Sequence, residues 1–291
     1  MDVDATTDLG SGVFHFRAAQ WQTNCLVFLE GDEAVVIDPA WTPAEVERIR
    51  RAAMSASGPI RFLLTHADVD HTCGMYAFQD AIVYGEPASA ELVENGGARS
   101  QLETQGPDWG MEFDLNVRVE EVIEPGSTLQ LGPFEIDTVP ARGHIMDGVA
   151  YIFEKQGVLV PGDYLSASMA PLVWWSVEEF RKSTERLAQV MRTRTLRWVV
   201  PGHGPLLCPA DAIAIAEADV EYLRGLEEAA ESAKQEGLSW ADSMVRAIGV
   251  PLPRPSTPDI EIYAPQVLNA KRALINAGIH KPGEVPAEWG I

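Results

Sequence analysis

Along the first two thirds of the chain, apolar residues fall in short runs separated by polar or glycine-rich breaks. Gly12 to Ala18 alternates loosely, as a half-buried strand does. NCLVFLEGDEAVVIDPA places two apolar runs around Gly31-Asp32 and predicts a β-hairpin. In WTPAEVERIRRAA, Thr42 and Glu45 have capping-box spacing, Pro43 suits the first helical position, and Val46, Ile49 and Ala53 share one face. IRFLLT is nearly all apolar, as expected of a strand covered on both faces. MYAFQDAIVYG predicts a short helix and then a strand, and ASAELVENGG a helix stopped by Gly96-Gly97. Residues 98–116 show no period, contain Pro107, Trp109 and Gly110, and read as a loop or lid. Strands return at VRVEEVI, TLQL, FEIDTVPA, VAYIFE and GVLVPG. SVEEFRKSTERLAQVMR opens on a second capping-box spacing, Ser176 to Glu179, and LRWVVPGHG adds a last strand.

This interleaving of strands and helices predicts an α/β fold of mixed layers. From Pro209 the period becomes helical throughout. A long Ala- and Glu-rich helix is followed by SWADSMVRAIG, the proline-rich connector PLPRPSTP and a final helix in IYAPQVLNAKRALINAG. The expected organisation is a main domain over residues 1–207, with residues 208–291 as a helical extension packed on it or supplying a homodimer contact.

The chain has 291 residues and a formal net charge of −21, which repels nucleic acid and anionic membranes. The partner expected is therefore a small-molecule substrate. No run of about 18 apolar residues predicts a membrane span. The acidic start MDVDATTDLGSG does not read as a signal peptide, and three widely spaced cysteines imply no disulfide framework. A cytoplasmic location is expected. Cys25 and Cys208 read as buried packing, as does Cys73, with lining of the site as its alternative.

The chemistry lies at strand ends. RFLLT runs into His66, FEIDTVPARG into His144, GVLVPG into Asp163 and LRWVVPG into His203. The last three follow a glycine, which permits close backbone approach. Directly after His66, the stretch LLTHADVDHTCG adds Asp68, Asp70 and His71. Four of six histidines belong to this set, while His15 and His280 read as structural. Imidazoles and carboxylates together are the ligands of divalent zinc, iron or manganese. Trp174 and Trp175, with Ser166, Ser168 and Met169 nearby, either floor a substrate pocket or pack in the core.

HADVDH, ARGHIMDG, PGDYL and PGHGP, in that order, resemble the metallo-β-lactamase superfamily over residues 12–207. The resemblance implies a four-layer αβ/βα sandwich with the site at one edge of its sheets. It implies a first metal held by His66, His144 and Asp163, with Asp68 where the family has its second histidine. A second metal would be held by Asp70, His71 and His203, with Asp163 bridging. Asp70 would also orient the attacking water. Asp163 places the chain on the glyoxalase-II and lactonase side of the family, away from true β-lactamases. The implied activity is metal-dependent hydrolysis of an ester, thioester, lactone or phosphodiester by a metal-bound hydroxide. Two divalent ions are expected, zinc first and iron or manganese as alternatives because of Asp68. That aspartate leaves three outcomes open: a shifted metal preference, a single-metal enzyme, or a degenerate site. A mono- or di-iron oxidoreductase and a non-catalytic member are the corresponding alternatives.

Overall fold

The computed structural model describes residues 6–105, 113–257 and 264–282. Seven strands form the first sheet in chain order: β1 (Thr6–Gly10), β2 (Val13–Arg17), β3 (Asn24–Glu30), β4 (Glu33–Ile37), β5 (Ile60–Leu63), β6 (Ile82–Gly85) and β7 (Glu121–Val122). Pairing is antiparallel from β1 to β4 and parallel from β4 to β7. Five strands form the second sheet: β8 (Thr128–Leu131), β9 (Phe134–Pro140), β10 (Val149–Phe153), β11 (Val158–Val160) and β12 (Trp198–Val199), in the order β12-β11-β10-β9-β8. Only β11 and β12 run parallel there.

The period-two alternation of strands decides which side chains meet. Leu26 and Phe28 of β3, with Ile37 and Leu63, face Phe134, Tyr151 and Phe153 across the sandwich. Phe28 stacks on Phe153 with ring centroids 3.7 Å apart. The intervening Val27 and Val36 point outward, to Val46, Ile49 and Ala53 of α1 (Pro43–Ala53). On the other side, Ala150, Ile152 and Leu159 meet Phe180, Leu187 and Met191 of α5 (Val177–Thr193). Both sheets therefore bury both faces, which produces the four layers of the expected sandwich. Each fully buried large side chain of this kind stabilises the fold by about 1.5–3 kcal/mol.

Three shorter helices lie between the sheets' strands in sequence: α2 (Val69–Thr72), α3 (Pro87–Glu94) and α4 (Gly97–Gln105). At the C-terminal end, α6 (Pro209–Gln235), α7 (Trp240–Ile248) and α8 (Pro265–Asn276) pack on α5 and on one another. In α8, Leu274 is buried in this cluster whereas Val267 is exposed. No helix among the described residues is long and apolar enough to cross a membrane.

The Thr42 capping box forms in full, with Glu45 N–H donating to Thr42 Oγ1 and Thr42 N–H to Glu45 Oε2. At Ser176 only half forms, because the Glu179 carboxylate accepts from Lys182. Several expectations are corrected. The acidic N-terminal stretch adds β1. Gly96, at φ +82°, ends the α3 turn, but Gly97 opens α4 in the stretch read as a loop. VRVEEVI pairs only at Glu121–Val122, since Arg118 reaches to the carbonyls of Phe78 and Ala81. The last strand stops at Val199 because Pro201, just beyond it, has no N–H for the ladder. The proposed lid residue Trp109 lies outside the described residues.

Candidate metal centre

The two sheets deliver the centre from opposite sides of one edge. The first sheet supplies His66 just after β5, then Asp68 at the entry to α2, and Asp70 and His71 within it. The second supplies His144 after β9, Asp163 after β11 and His203 after β12. The last two loops are stitched together by Gly202 N–H donating to the Gly162 carbonyl (2.8 Å). A Cβ on Gly202 would lie 2.0 Å from Asp163 Oδ1, so only glycine allows this approach.

All seven predicted residues converge. Donor atoms of His66, His144 and Asp163 lie within 4.8 Å of one another, as do those of Asp70, His71 and His203. Asp68 joins the first group through Oδ2, 3.1 Å from His144 Nε2 and 3.7 Å from His66 Nε2. Asp163 lies between the groups. Its Oδ1 is 3.2 Å from His71 Nε2, and its Oδ2 is 3.4 Å from His144 Nε2 and 3.1 Å from His203 Nε2. Asp70 Oδ2 is 3.3 Å from His71 Nε2 and 3.2 Å from His203 Nε2.

The outer hydrogen bonds set each ring. His71 Nδ1 donates to Asp38 Oδ2 (2.9 Å), His144 Nδ1 to the Leu172 carbonyl (2.7 Å) and His203 Nδ1 to the Trp21 carbonyl (2.9 Å). The Thr65 hydroxyl donates to Asp38, so its oxygen accepts from His66 Nδ1 (3.0 Å). With every Nδ1 carrying a proton for an outer acceptor, every Nε2 lone pair faces the centre, which is the arrangement metal-binding histidines use. His66 Nε2, His71 Nε2 and Asp163 Oδ1 are buried and have no hydrogen-bond partner among the described residues. Buried polar atoms without partners are costly, and these three converge on the positions two cations would fill.

The electrostatics agree. Burial opposes charge on His144, but its bond to Asp68 and the charges of Asp163 and Asp68 outweigh it and raise its pKa to about 9. Burial likewise opposes charge on His71, and Asp70, Asp38 and Asp163 override it. Burial also resists ionisation of Asp68, yet the bond to His144 and the nearby imidazoles bring its pKa to about 2. Among the four histidines of the centre only His66 falls, through burial and the neighbouring His71, to about 4. The three carboxylates of the centre, with Asp38 behind them, thus create a demand for positive charge that protons or dications meet, in competition with one another.

The sequence profile of the metallo-beta-lactamase superfamily matches residues 18–206. The chain belongs to this superfamily. Among curated relatives it is similar to the probable metallo-hydrolase YqgX of Bacillus subtilis, 24% identical over 63% of this chain and 86% of that one. It is also similar to the acyl-coenzyme A thioesterase MBLAC2 of Gallus gallus, 22% identical over 67% of this chain and 78% of that one. Among solved structures, a double mutant of the sec-alkyl sulfatase PisA1 superposes with a TM-score of 0.69 at 13% identity, covering 94% of this chain and 50% of that one. That coverage includes helices beyond the superfamily match, so the fold likeness extends into α6 to α8.

Other residues reach the superfamily site without having been singled out. Asp38, after β4, anchors both Thr65 and His71; AVVID is itself an apolar strand ending in a carboxylate, the signal that marked the ligands. Gln101 of α4 donates to Asp68 Oδ1, and Thr23 Oγ1 donates to Asp70 Oδ2 (3.3 Å). Asn269 of α8, fully buried, accepts from Val173 N–H (2.9 Å) and donates to the Pro171 carbonyl (2.6 Å), so it brackets the Leu172 carbonyl that orients His144. Trp174 and Trp175 are half-buried, and the backbone N–H of each donates to the His144 carbonyl. Cys73 is buried beside Trp41 and Val69, as packing predicts. Cys208 corrects its expectation: it is exposed, and its sulfur caps α6 by accepting from Asp211 N–H, because the chain there enters a helix at the surface. His15 is buried against Asn24, and His280 lies just after α8, outside the site.

Proposed function

We propose that this chain is a metal-dependent hydrolase of an ester-type bond in a small molecule, acting through two divalent ions. The observation that carries the reading is the inward convergence of three carboxylates and of four Nε2 atoms whose rings already have their outer Nδ1 bonds made. His66, His144, Asp68 and Asp163 would hold one ion, and Asp70, His71, His203 and Asp163 the other, with zinc the first expectation for both. Such ions supply Lewis acidity and lower the pKa of coordinated water. The residues supply the rest: Asp163 sets the spacing of the halves, and Asp70, steadied by Thr23, orients the attacking water and receives its proton. Among ester-type bonds, the thioester gains support from the name of the MBLAC2 relatives.

The test combines metal analysis with assays on aryl esters, acyl thioesters, lactones and a bis-aryl phosphodiester. Hydrolysis of one class, lost in His71→Ala and Asp163→Ala, supports the reading. The carboxylate at position 68 favours harder ions, so iron is the specific alternative. Iron content with oxygen uptake and no hydrolysis would replace the hydrolase with an oxidoreductase.

A further inference from the structure

Asp68 precedes α2 in the N-cap position, where an aspartate ordinarily accepts a hydrogen bond from its own helix. Here its side chain makes no such bond. Both carboxylate oxygens are engaged elsewhere. Oδ2 faces His144 and His66, and Oδ1 accepts from Gln101 Nε2 at 3.0 Å. The helix start receives Gln101 instead, whose Oε1 accepts from Val69 N–H at 3.0 Å. The backbone N–H can only donate, so it fixes which end of the amide points where: oxygen to Val69, nitrogen to Asp68. Gln101 is buried, one face of α4 against α2.

The polarity of this contact differs from every other outer contact made by the candidate ligands on the first ion. Histidine ligands present an N–H and need an acceptor; His66 and His144 have the Thr65 hydroxyl and the Leu172 carbonyl. A carboxylate ligand presents a second oxygen and needs a donor. We infer that Gln101 is a positioning residue paired to Asp68: it occupies Oδ1, leaves Oδ2 as a one-oxygen ligand for the first metal, and thereby makes an aspartate serviceable where a histidine would stand. This rests on the metal-centre part of the proposed function and not on the substrate.

The test is a swap read as metal affinity. Zinc per chain, and the affinity of the weaker zinc by chelator competition, are measured for the natural protein, Gln101→Glu, Asp68→His and the double variant. In the natural background Gln101→Glu sets carboxylate against carboxylate and weakens that zinc by about 10- to 100-fold, the range for outer partners of metal ligands. In the Asp68→His background the same change supplies the acceptor an imidazole N–H needs, so it leaves the affinity equal or tighter. The reversal is the signature, because a merely structural role of Gln101 through Val69 acts alike in both backgrounds. Equal effects in both, or none in either, overturn the inference. Should Asp68→His fail to fold, Gln101→Leu replaces that arm. Both variants lose the amide and only Gln101→Glu adds charge, so the glutamate variant must bind the weaker zinc less tightly than the leucine variant, and equality overturns the inference. A protein that binds zinc as described yet hydrolyses nothing defeats the hydrolase reading alone, while zinc binding indifferent to residue 101 defeats this inference alone.

Discussion

In the half of the centre formed by Asp70, His71 and His203, the outer partners all come from the edge of the first sheet: Asp38 after β4, and Thr23 with the Trp21 carbonyl before β3. In the half formed by His66, Asp68 and His144, only Thr65 does. Gln101 comes from α4, and the Leu172 carbonyl from a segment that α8 holds through Asn269. The half with Asp68 therefore depends on elements outside the two sheets, and it is also the half that carries the aspartate in place of a histidine. The C-terminal helices are thus tied to the centre by hydrogen bonds, beyond their burial against α5.

The sharpest way to break the comparison is to remove the one residue common to both halves. Asp163→Ala should abolish hydrolysis, by about three orders of magnitude or more, and lower the metal content of both halves together. If metal analysis shows one ion leaving and the other held as before, Asp163 does not bridge. Asp38→Asn tests the sheet-supported half. It removes the acceptor charge behind His71 and should weaken the metal of that half by about 10- to 100-fold, with a smaller loss at the other, which Asp38 reaches only through Thr65 and His66, as read by chelator competition. Loss spread evenly over both ions would erase the distinction between the halves.

Most of the centre was legible because ligands at the ends of apolar strands leave a local mark: a run of Val, Leu or Ile, a glycine, then a histidine or aspartate. His66, His144, Asp163 and His203 end such runs, His66 without the glycine, while Asp68, Asp70 and His71 stand out through the density of HADVDH; all seven converge. Asp38 ends a similar apolar run at AVVID, but with neither a preceding glycine nor a neighbouring histidine in the sequence. Gln101 and Asn269 leave no mark. A glutamine in a stretch without a clear period and an asparagine in the final helix look like solvent-facing positions, and only tertiary packing turns each toward a backbone or a ligand. The mixed α/β layers were readable from the interleaving of strands and helices, and the sandwich from the family resemblance, whereas β1 and α4 were not, because short polar elements owe their form to neighbours rather than to their own periodicity.

Asn269→Ala tests the half supported from outside. It strands the buried Val173 N–H and Pro171 carbonyl, which should cost about 1–3 kcal/mol in denaturant unfolding. Freed from its brackets, the Leu172 carbonyl should hold His144 less well, with a several-fold weaker first metal and a second metal unaffected. Equal weakening of both, or a stability loss with no change in metal affinity, would confine α8 to a structural part.

The smallest effect concerns pH and the second half. His15 on β2 bonds Asn24 Oδ1, and Asn24 Nδ2 in turn donates to the carbonyls of Pro201 and Gly204 on either side of His203. Burial lowers the pKa of His15 to about 4 against the pull of Asn24, from an ordinary value of 6.5. The unfolded chain therefore binds this proton first. The stability His15 contributes is complete above pH 6.5 and is lost as pH falls from there through 4. Between pH 7.5 and 6 the loss is below about 1 kcal/mol, and it steepens below that. His15→Gln, which cannot titrate, should flatten this part of the unfolding profile in metal-depleted protein, where the other histidines supply a common background to both proteins. Superimposable acid limbs for the two would show that His15 keeps an ordinary pKa in the fold, and that the Asn24 brace of the His203 loop does not depend on a neutral ring.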